Sequence, residues 1–321
     1  RPADSMPGVA PSSASGPVAD RVTRSPRPAA LAVVVSLRPE QWTKNLLVFA
    51  GLVFGGKLLD PSAVTAACTA FAVFCVLSGA IYLFNDVADR DADTQHPLKR
   101  TRPVAAGDMS ARTALAVGVV LGVGGVAAAF SVSLAFGAMA AGYVLALTLY
   151  STVLKHAVIV DVMTIAAGFV LRAVAGAVAV RVPISNWLLI CTTLLALFLA
   201  LSKRRHELTL LADGAAIHRP ILEEYSPYLL DQMIGVVTSS TLIAYTVYAT
   251  SQDTAARLGT TRLGLTIPFV LYGIFRYLYL VHQKRGGGSP ATMLVSDRPL
   301  LVCVALWVTS VVLLLYTPLG R

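Results

Sequence analysis

The stretch Phe84–Asp93, FNDVADRDAD, places four aspartates directly after a long apolar run, and Thr94–Pro103, TQHPLKRTRP, adds a run of basic residues. The apolar run covers residues 62–85, which is long enough for a helix that crosses the hydrocarbon core of a bilayer. The charged stretch then lies at the membrane surface. So much charge of both signs at the end of one membrane helix requires a chemical reason.

The composition places the whole chain in a membrane. Of its 321 residues, 56% are hydrophobic and 13% are charged, whereas a soluble domain carries about 25% charged residues. The apolar runs are long enough for helices rather than barrel strands. The net charge of +9 is distributed between these runs, so membrane orientation and phosphate-bearing ligands explain it better than nucleic acid does. We expect an all-α polytopic membrane protein with no nucleic-acid partner.

Nine apolar segments predict nine transmembrane helices. Their approximate ranges are 43–58, 62–85, 111–130, 132–152, 158–180, 185–203, 229–250, 263–282 and 299–317. Before them we expect a disordered basic tail over residues 1–30 and an interfacial helix over residues 31–42, which leaves residues 43–321 as the transmembrane domain. Most of the 26 Lys and Arg residues fall on the side of the N-terminus. This bias predicts a multi-pass plasma-membrane protein whose N-terminus and long charged loops are cytoplasmic.

Small residues and cysteines inside the predicted spans have simple explanations. Gly118, Gly122 and Gly125 have a spacing that favours close helix packing, which also permits a homo-oligomer. The four cysteines lie in apolar segments without a CxxC pair, so we expect buried thiols and neither a disulfide nor a metal-bound sulfur.

The aspartates have a spacing that suits a metal ion. Asn85, Asp89 and Asp93 share one face if the helix continues past the membrane edge, and Asp86 lies beside them. Carboxylates this close repel each other unless a cation lies among them. Mg²⁺ takes one or two carboxylates together with the phosphate oxygens of a substrate. We predict that Asp86, Asp89 and Asp93 are metal ligands and the catalytic residues, and that Asp91 is solvated.

The basic run that follows complements these acids. It begins at His96, and Lys99, Arg100 and Arg102 can hold phosphate oxygens that a metal leaves free. A solvated loop that orients the protein in the membrane is the alternative. Acidic residues contribute little to orientation, so that alternative explains the aspartates poorly.

The segment Asn85–Gly107, NDVADRDADTQHPLKRTRPVAAG, resembles the first aspartate-rich motif of the UbiA superfamily of intramembrane prenyltransferases. The family motif runs Asn-Asp-x-x-Asp-x-x-x-Asp and continues into a His-Pro-x-Lys-x-Arg-Pro-like segment. The resemblance extends over most of residues 38–317. It implies nine helices around a central cavity, with the cytoplasmic charged loops capping it.

The sequence departs from the family where the second aspartate-rich motif should follow the sixth span. Leu201–Leu208 reads LSKRRHEL, which places Lys203 and Glu207 on one helix face with Arg204 beside them. Cations therefore replace the acids of a second Mg²⁺ site, which favours a more phosphate-rich ligand than a prenyl diphosphate. We expect Lys203 and Arg204 to hold a phosphate, and Glu207 to accept a ribose hydroxyl or to position the basic pair.

Four segments together resemble one branch of the superfamily, the phosphoribosyltransferases that act on polyprenyl phosphate. They are LRPEQWTKNLLVFAG, LYSTVLKHAVIVDV, GFVLRAVAG and LSKRRHEL. The resemblance implies Mg²⁺ as cofactor, 5-phosphoribosyl diphosphate (PRPP) as donor and polyprenyl (decaprenyl) monophosphate as acceptor. The implied product is decaprenylphosphoryl-5-phosphoribose, a precursor of cell-wall arabinan.

Five further residues are candidate substrate contacts. Tyr150 and Lys155 match a Tyr-to-Lys element of the family, which implies contacts to the diphosphate, although Lys155 could instead extend to the membrane surface. Lys44 is either a phosphate contact or an interfacial anchor. Asp161 and Arg172 share a helix face inside a span, where charges usually face a cavity. Arg172 either binds a lipid phosphate or pairs with another helix.

Two other functions remain open at this point. One is a prenyltransferase that joins a prenyl diphosphate to an aromatic acceptor, against which the missing second acidic motif counts. The other is a transporter, whose ion site would lie at the membrane midplane. Most of the charge here gathers in loops on one side, which favours the enzyme.

Overall fold

The structure, a computed structural model, describes residues 27–95, 99–212, 220–284 and 290–320. His96 and most of the predicted basic tail lie outside these ranges. The described residues form helices and connecting turns, with no β-strand. In chain order the α-helices are α1 (Ala29–Ser36), α2 (Ala50–Phe54), α3 (Pro61–Ala88), α4 (Arg90–Gln95), α5 (Pro103–Ala106), α6 (Ala111–Val132), α7 (Leu134–Thr152), α8 (Val160–Ala179), α9 (Asn186–Ala212), α10 (Pro227–Thr250), α11 (Gln252–Leu258), α12 (Ile267–Gln283), α13 (Pro290–Ser296) and α14 (Arg298–Tyr316).

Short polar side chains start most of the long helices. Asp60 accepts hydrogen bonds from the backbone N–H groups of Ser62 and Ala63 at the start of α3. The same kind of cap begins α6, α7, α10 and α14. These caps satisfy N–H groups that a helix leaves without an internal partner, which matters most near a membrane.

Helices α3 and α8 form the centre of the bundle. In their most apolar windows 56% and 50% of the residues are buried, against 17% in α6 and in α14. Residues of α3, α7 and α8 pack into one apolar cluster with Val48. The central position of α3 and α8 brings the charged residues at their ends to the middle of one end of the bundle.

Seven segments in the described ranges are long and apolar enough to cross a membrane. They are α3, α6, α7, α8, α10, the segment Arg262–Gln283 that contains α12, and α14. The predicted sixth span corresponds to α9, which is not among the seven. The count of nine crossings therefore stays a prediction.

The first predicted span is not a regular α-helix. A 3-10 helix covers Pro39–Phe49 and only the five residues of α2 continue it. The segment packs very closely on α8, because a Cβ atom added to Gly176 would lie 1.9 Å from the carbonyl oxygen of Val48. The predicted interfacial helix over residues 31–42 overlaps α1 only in part, because α1 covers Ala29–Ser36, Arg38 has a φ of 51° and the 3-10 helix begins at Pro39; its place at the membrane interface stays a prediction.

The end of α3 also differs from the prediction. The α-helix stops at Ala88, Asp89 forms a one-residue interruption, and α4 begins at Arg90. The expected continuous helix with one face for residues 85, 89 and 93 is therefore wrong in detail. Asp93, which follows the interruption, is buried, and Asp89 at the interruption is partly exposed.

Candidate active site

Two of the predicted metal ligands come together at the end of α3. The side chains of Asp86 and Asp93 are 1% and 3% exposed. The NH1 atom of Arg102 donates to both, at 3.4 Å from Asp86 Oδ1 and 2.6 Å from Asp93 Oδ2. Arg38 also donates to Asp86 Oδ1, from the turn between α1 and the 3-10 helix. Two buried carboxylates are thus held by two guanidinium groups.

Asp89 faces a different partner. Its Oδ1 atom lies 3.4 Å from Nζ of Lys155, which belongs to the short 3-10 helix between α7 and α8. In the ranges described, no three Asp, Glu, His or Cys side chains form a ready metal-binding group. The predicted set of three acids is therefore divided between Asp86 with Asp93 and Asp89 with Lys155.

Asp86 retains one oxygen that suits a divalent cation. Its Oδ2 atom is buried and has no hydrogen-bond partner among the described residues. A buried carboxylate oxygen without a partner is costly. Mg²⁺ prefers carboxylate oxygens as ligands, so the donor set at the end of α3 fits this ion.

The other residues of the predicted acidic and basic segments lie around this pair. Lys99 Nζ is 3.9 Å from Asp93 Oδ1. Arg100 is exposed, Asn85 is partly buried in the last turn of α3, and Asp91 is exposed, as predicted. Of the basic run, Lys99 and Arg102 therefore contact the acids directly.

A second group of charges lies at the ends of α8 and α9. We call it the Arg204 network, because that guanidinium, 1% exposed, contacts three other side chains. Its Nε lies 2.8 Å from Asp161 Oδ2, its NH1 2.6 Å from Glu207 Oε2 and its NH2 3.1 Å from the hydroxyl of Tyr150. The network joins four predicted site residues from α7, α8 and α9. Arg204 is oriented here by protein groups, whereas Lys203 on the same helix is 44% exposed.

Tyr225 completes the Arg204 network from the segment before α10. Its hydroxyl donates to Asp161 Oδ1 at 2.8 Å and accepts from the N–H of Ile159 at 2.7 Å. Burial raises the pKa of Tyr225 to about 12, so the phenol keeps its proton. Ile159 has a φ of 68°, a conformation that β-branched residues rarely adopt. Such backbone strain is common beside functional sites.

Arg172 lies deeper, where it links three elements. Its Nε lies 2.8 Å from Asn45 Oδ1 and its NH1 2.9 Å from the carbonyl of Gly168, and its NH2 donates to the hydroxyl of Tyr143. The guanidinium also stacks on the ring of Tyr143 at 4.7 Å. Of the two roles considered for Arg172, this geometry supports pairing with neighbouring helices.

Lys44 lies where the three groups converge. Its ammonium group is partly buried and is repelled by Lys203, Arg172 and Arg38. Four cations from the 3-10 helix and its N-terminal end, α8 and α9 thus share one region, and one of them, Arg38, contacts Asp86 of α3. Such a concentration of positive charge in a partly buried place favours a polyanionic ligand.

The sequence did not predict the contacts of Arg38 and Tyr225, although Tyr225 lies in a segment before the seventh predicted span that either covers the donor or is a solvated loop. Arg38 appeared only within the segment LRPEQWTKNLLVFAG that carries the family resemblance, and its contact with Asp86 joins residues 48 positions apart. Tyr225 lies 64 positions from Asp161. Spacing along one helix cannot reveal such pairs. The local signal was weak: Arg38 precedes Pro39, and Tyr225 lies two residues before Pro227, each at the boundary of an apolar segment.

The sequence matches the UbiA prenyltransferase family over residues 45–296. The decaprenyl-phosphate phosphoribosyltransferase of Mycobacterium tuberculosis (strain ATCC 25618 / H37Rv) is 33% identical over 298 residues, which cover 91% of this chain and 97% of that protein. The protein of the same name from Corynebacterium glutamicum is 33% identical over 303 residues, covering 91% and 89%. Similarity therefore extends over nearly the full length of both relatives.

Solved structures show the same fold. A UbiA homolog from Archaeoglobus fulgidus, bound to DMAPP and Mg²⁺, superposes with a TM-score of 0.66 at 18% identity and covers 88% of this chain and 99% of its own. The same homolog bound to GPP and Mg²⁺ gives a TM-score of 0.65 at 17% identity, with the same coverage. At this identity the likeness establishes the helical architecture.

Proposed function

Because the chain belongs to the UbiA prenyltransferase family, we propose that it transfers the 5-phosphoribosyl group of PRPP to a polyprenyl phosphate, decaprenyl phosphate in particular. The product is decaprenylphosphoryl-5-phosphoribose, which supplies the synthesis of cell-wall arabinan. The names of the two relatives that match over nearly their full length support this choice.

The observation that carries the proposal is the mixed charge at one end of the bundle. One part of the site has two buried carboxylates, one of which keeps an oxygen without a partner. The other part has cations around Lys44 and Lys203 and no acidic motif on α9 comparable to that of α3. PRPP carries a diphosphate and a separate phosphate, so a metal-binding part and a cationic part suit its two ends.

Different residues would bind the two phosphate-bearing ends of the donor. Asp86 and Asp93, with Asp89 nearby, would hold Mg²⁺, which when bound neutralises charge on the leaving diphosphate. Lys155 lies next to Asp89 and can hold a diphosphate oxygen beside the metal. Lys44 and Lys203, which lie close enough to repel each other, would hold the second phosphate end. The Arg204 network fixes the ends of α7, α8 and α9 around these contacts.

The reaction needs no proton acceptor. An oxygen of the lipid phosphate, already anionic near neutral pH, forms a bond to C1 of the ribose while the bond from C1 to the diphosphate oxygen breaks. Both electrons of that bond leave with the diphosphate, whose charge the site cations stabilise. Attack opposite the leaving group inverts the configuration at C1. Asp161 is paired with Arg204 and Tyr225 and is therefore a positioning residue in this scheme.

The orientation in the membrane is part of the proposal. With nine crossings and most Lys and Arg residues on the side of the N-terminus, the site opens to the cytoplasm of a plasma-membrane protein. PRPP, a water-soluble donor, would enter from there. The lipid acceptor would enter sideways from the bilayer.

The test uses purified full-length protein in lipid vesicles with labelled PRPP, polyprenyl phosphate and Mg²⁺. Label should move into the lipid fraction, and chelation of divalent ions should abolish this transfer. Label that stays water-soluble in every condition would contradict the proposal. A parallel assay with a prenyl diphosphate and an aromatic acceptor tests the other family chemistry, and turnover there alone would replace the phosphoribosyl proposal.

A further inference from the structure

Arg38 contacts an acid that the proposed reaction needs for its metal. Its NH2 atom donates to Asp86 Oδ1, the same oxygen that Arg102 NH1 approaches at 3.4 Å. One oxygen of Asp86 therefore has two cationic donors, while Oδ2 has no partner among the described residues. A divalent ion bound to Asp86 in this arrangement would lie beside two positive charges that repel it.

The two arginines differ in what they can do when a metal arrives. Arg102 also pairs with Asp93, at 2.6 Å, and keeps that partner if it leaves Asp86. Within the ranges described, Asp86 is the one acid that Arg38 contacts. If Arg38 leaves Asp86, its charge needs another anion. In a site for a diphosphate, the phosphate oxygens are that anion.

The position of Arg38 suits such an exchange. Its backbone lies in the left-handed region at the turn between α1 and the 3-10 helix, and Pro39 fixes the direction in which that helix starts. Its guanidinium lies over the ring of Tyr82 at 4.7 Å, one turn before Asp86 on α3. This ring can support the guanidinium beside either an acid or a phosphate. The side chain of Arg38 is 19% exposed, so a ligand at the charged end of the bundle can reach it.

We propose that the ion pair of Arg38 with Asp86 prevents free divalent ions from binding this carboxylate. When the metal arrives together with a diphosphate, the guanidinium leaves Asp86 and pairs with the diphosphate oxygens. Arg38 then contacts the donor directly and makes metal binding depend on it. The inference rests on the proposed function, since it requires a donor that carries a diphosphate.

The experiment measures two affinities of the purified full chain with opposite expected changes. The first is for Mn²⁺ alone, read from the loss of the free-ion signal in electron paramagnetic resonance. The second is for inorganic diphosphate at saturating Mg²⁺, read by calorimetry. Arg38→Gln should bind Mn²⁺ alone about tenfold more tightly or better, because the competing charge is gone, and diphosphate about tenfold more weakly or worse, because a charged hydrogen bond is lost.

Two further variants keep the test decisive. Arg38→Lys keeps the charge, so its affinity for Mn²⁺ alone should stay as low as that of the wild type. Arg262→Gln removes a cation at the opposite end of the bundle, where Arg262 donates to the carbonyl of Leu319, and should match the wild type in both affinities. If Arg38→Gln fails to fold, the affinity of the wild type for Mn²⁺ is measured with and without diphosphate. Tight Mn²⁺ binding without diphosphate overturns the inference, and tight Mn²⁺ binding only with diphosphate supports it.

The outcomes separate this inference from the proposed function. If the wild type binds diphosphate with Mg²⁺ but Arg38→Gln changes neither affinity, or weakens both, Arg38 is a structural contact and only the inference falls. If the wild type binds no diphosphate with Mg²⁺, the inference and the proposed function both fall.

Discussion

At the scale of single residues, burial separates the aspartates of the segment Phe84–Asp93. The side chain of Asp86 is 1% exposed and keeps an unpaired oxygen, whereas Asp91 is exposed on α4. The buried oxygen of Asp86 lacks a partner that a metal ion could supply, whereas water already solvates the carboxylate of Asp91. Burial and pairing with Arg102 thus distinguish Asp86 and Asp93 from Asp91, although Asp91 and Asp93 lie on the same short helix α4.

Asp86→Asn should lower phosphoribosyl transfer by about 100-fold or more, because the amide keeps the shape but loses the charge that holds the metal. Asp91→Asn is the matched control and should retain activity close to the wild type. Initial rates with labelled PRPP in vesicles check both. Equal activity of the two variants would remove Asp86 from the metal site.

Arg204→Met should destabilise the protein by about 3–5 kcal/mol, because it leaves the buried carboxylate of Asp161 without its cation. Lys203→Met changes the neighbouring, 44% exposed cation on the same helix and should leave stability nearly unchanged while it raises the KM for PRPP. Thermal unfolding in detergent and steady-state kinetics give the two readouts. A reversed pattern would assign the phosphate contact to Arg204 instead.

At the scale of elements, the close approach of the first segment to α8 explains why that segment is irregular. Gly176 leaves space for the carbonyl of Val48, and Gly51 lies against Ala177 in the same way, with 2.7 Å from its added Cβ to the Ala177 Cα. This packing holds Asn45 against Arg172 and places Lys44 near Lys203. The glycines thus determine where the cations of the first segment lie.

Gly176→Ala should destabilise the bundle by about 1–3 kcal/mol, because its methyl group would overlap backbone atoms that cannot move separately. Gly142→Ala on α7 is the control: its added Cβ meets nothing within 4 Å, so stability should stay equal or rise slightly. Thermal unfolding of the two purified variants compares them. The same loss in both would mean that close packing at Val48 is not the cause.

The helices themselves were largely predictable. Most of the predicted spans agree with observed helices to within a few residues, because the length of an apolar segment is a local property of the sequence. The structures of the first span and of the end of α3 were not predictable, because a 3-10 helix and a one-residue interruption depend on what packs against them. In the site, the acids of α3 and the cations of α9 were identified from spacing and resemblance, but their partners were not.

At the scale of the whole molecule, the charged ends of α3, α7, α8 and α9 lie together. The ion pair between Asp89 and Lys155 joins the first charged segment to the connection before α8, and Tyr150 joins α7 to Arg204. Arg257 and Arg262 belong to the connections at the opposite end of α10 and α12. The bundle therefore has one highly charged end, as the proposed orientation requires.

Cysteine labelling should show this orientation. Arg257→Cys should react with a membrane-impermeant maleimide in intact cells, and Arg100→Cys should react only after the membrane is opened, because the proposed cytoplasmic end carries Arg100. Both variants are made with Cys68, which is exposed, replaced by alanine. The opposite labelling pattern would place the donor site outside the cell.

The sequence by itself determined that the chain is a helical membrane protein, where most helices begin and end, and that acids and cations gather in two segments, because hydropathy, caps and spacing are properties of neighbouring residues. Only the tertiary structure decided that Arg38 and Arg102 share Asp86, that Arg204 is enclosed by Asp161, Glu207 and Tyr150, and that Lys44 lies among other cations. These contacts join residues far apart in the chain, and their geometry depends on how the helices pack.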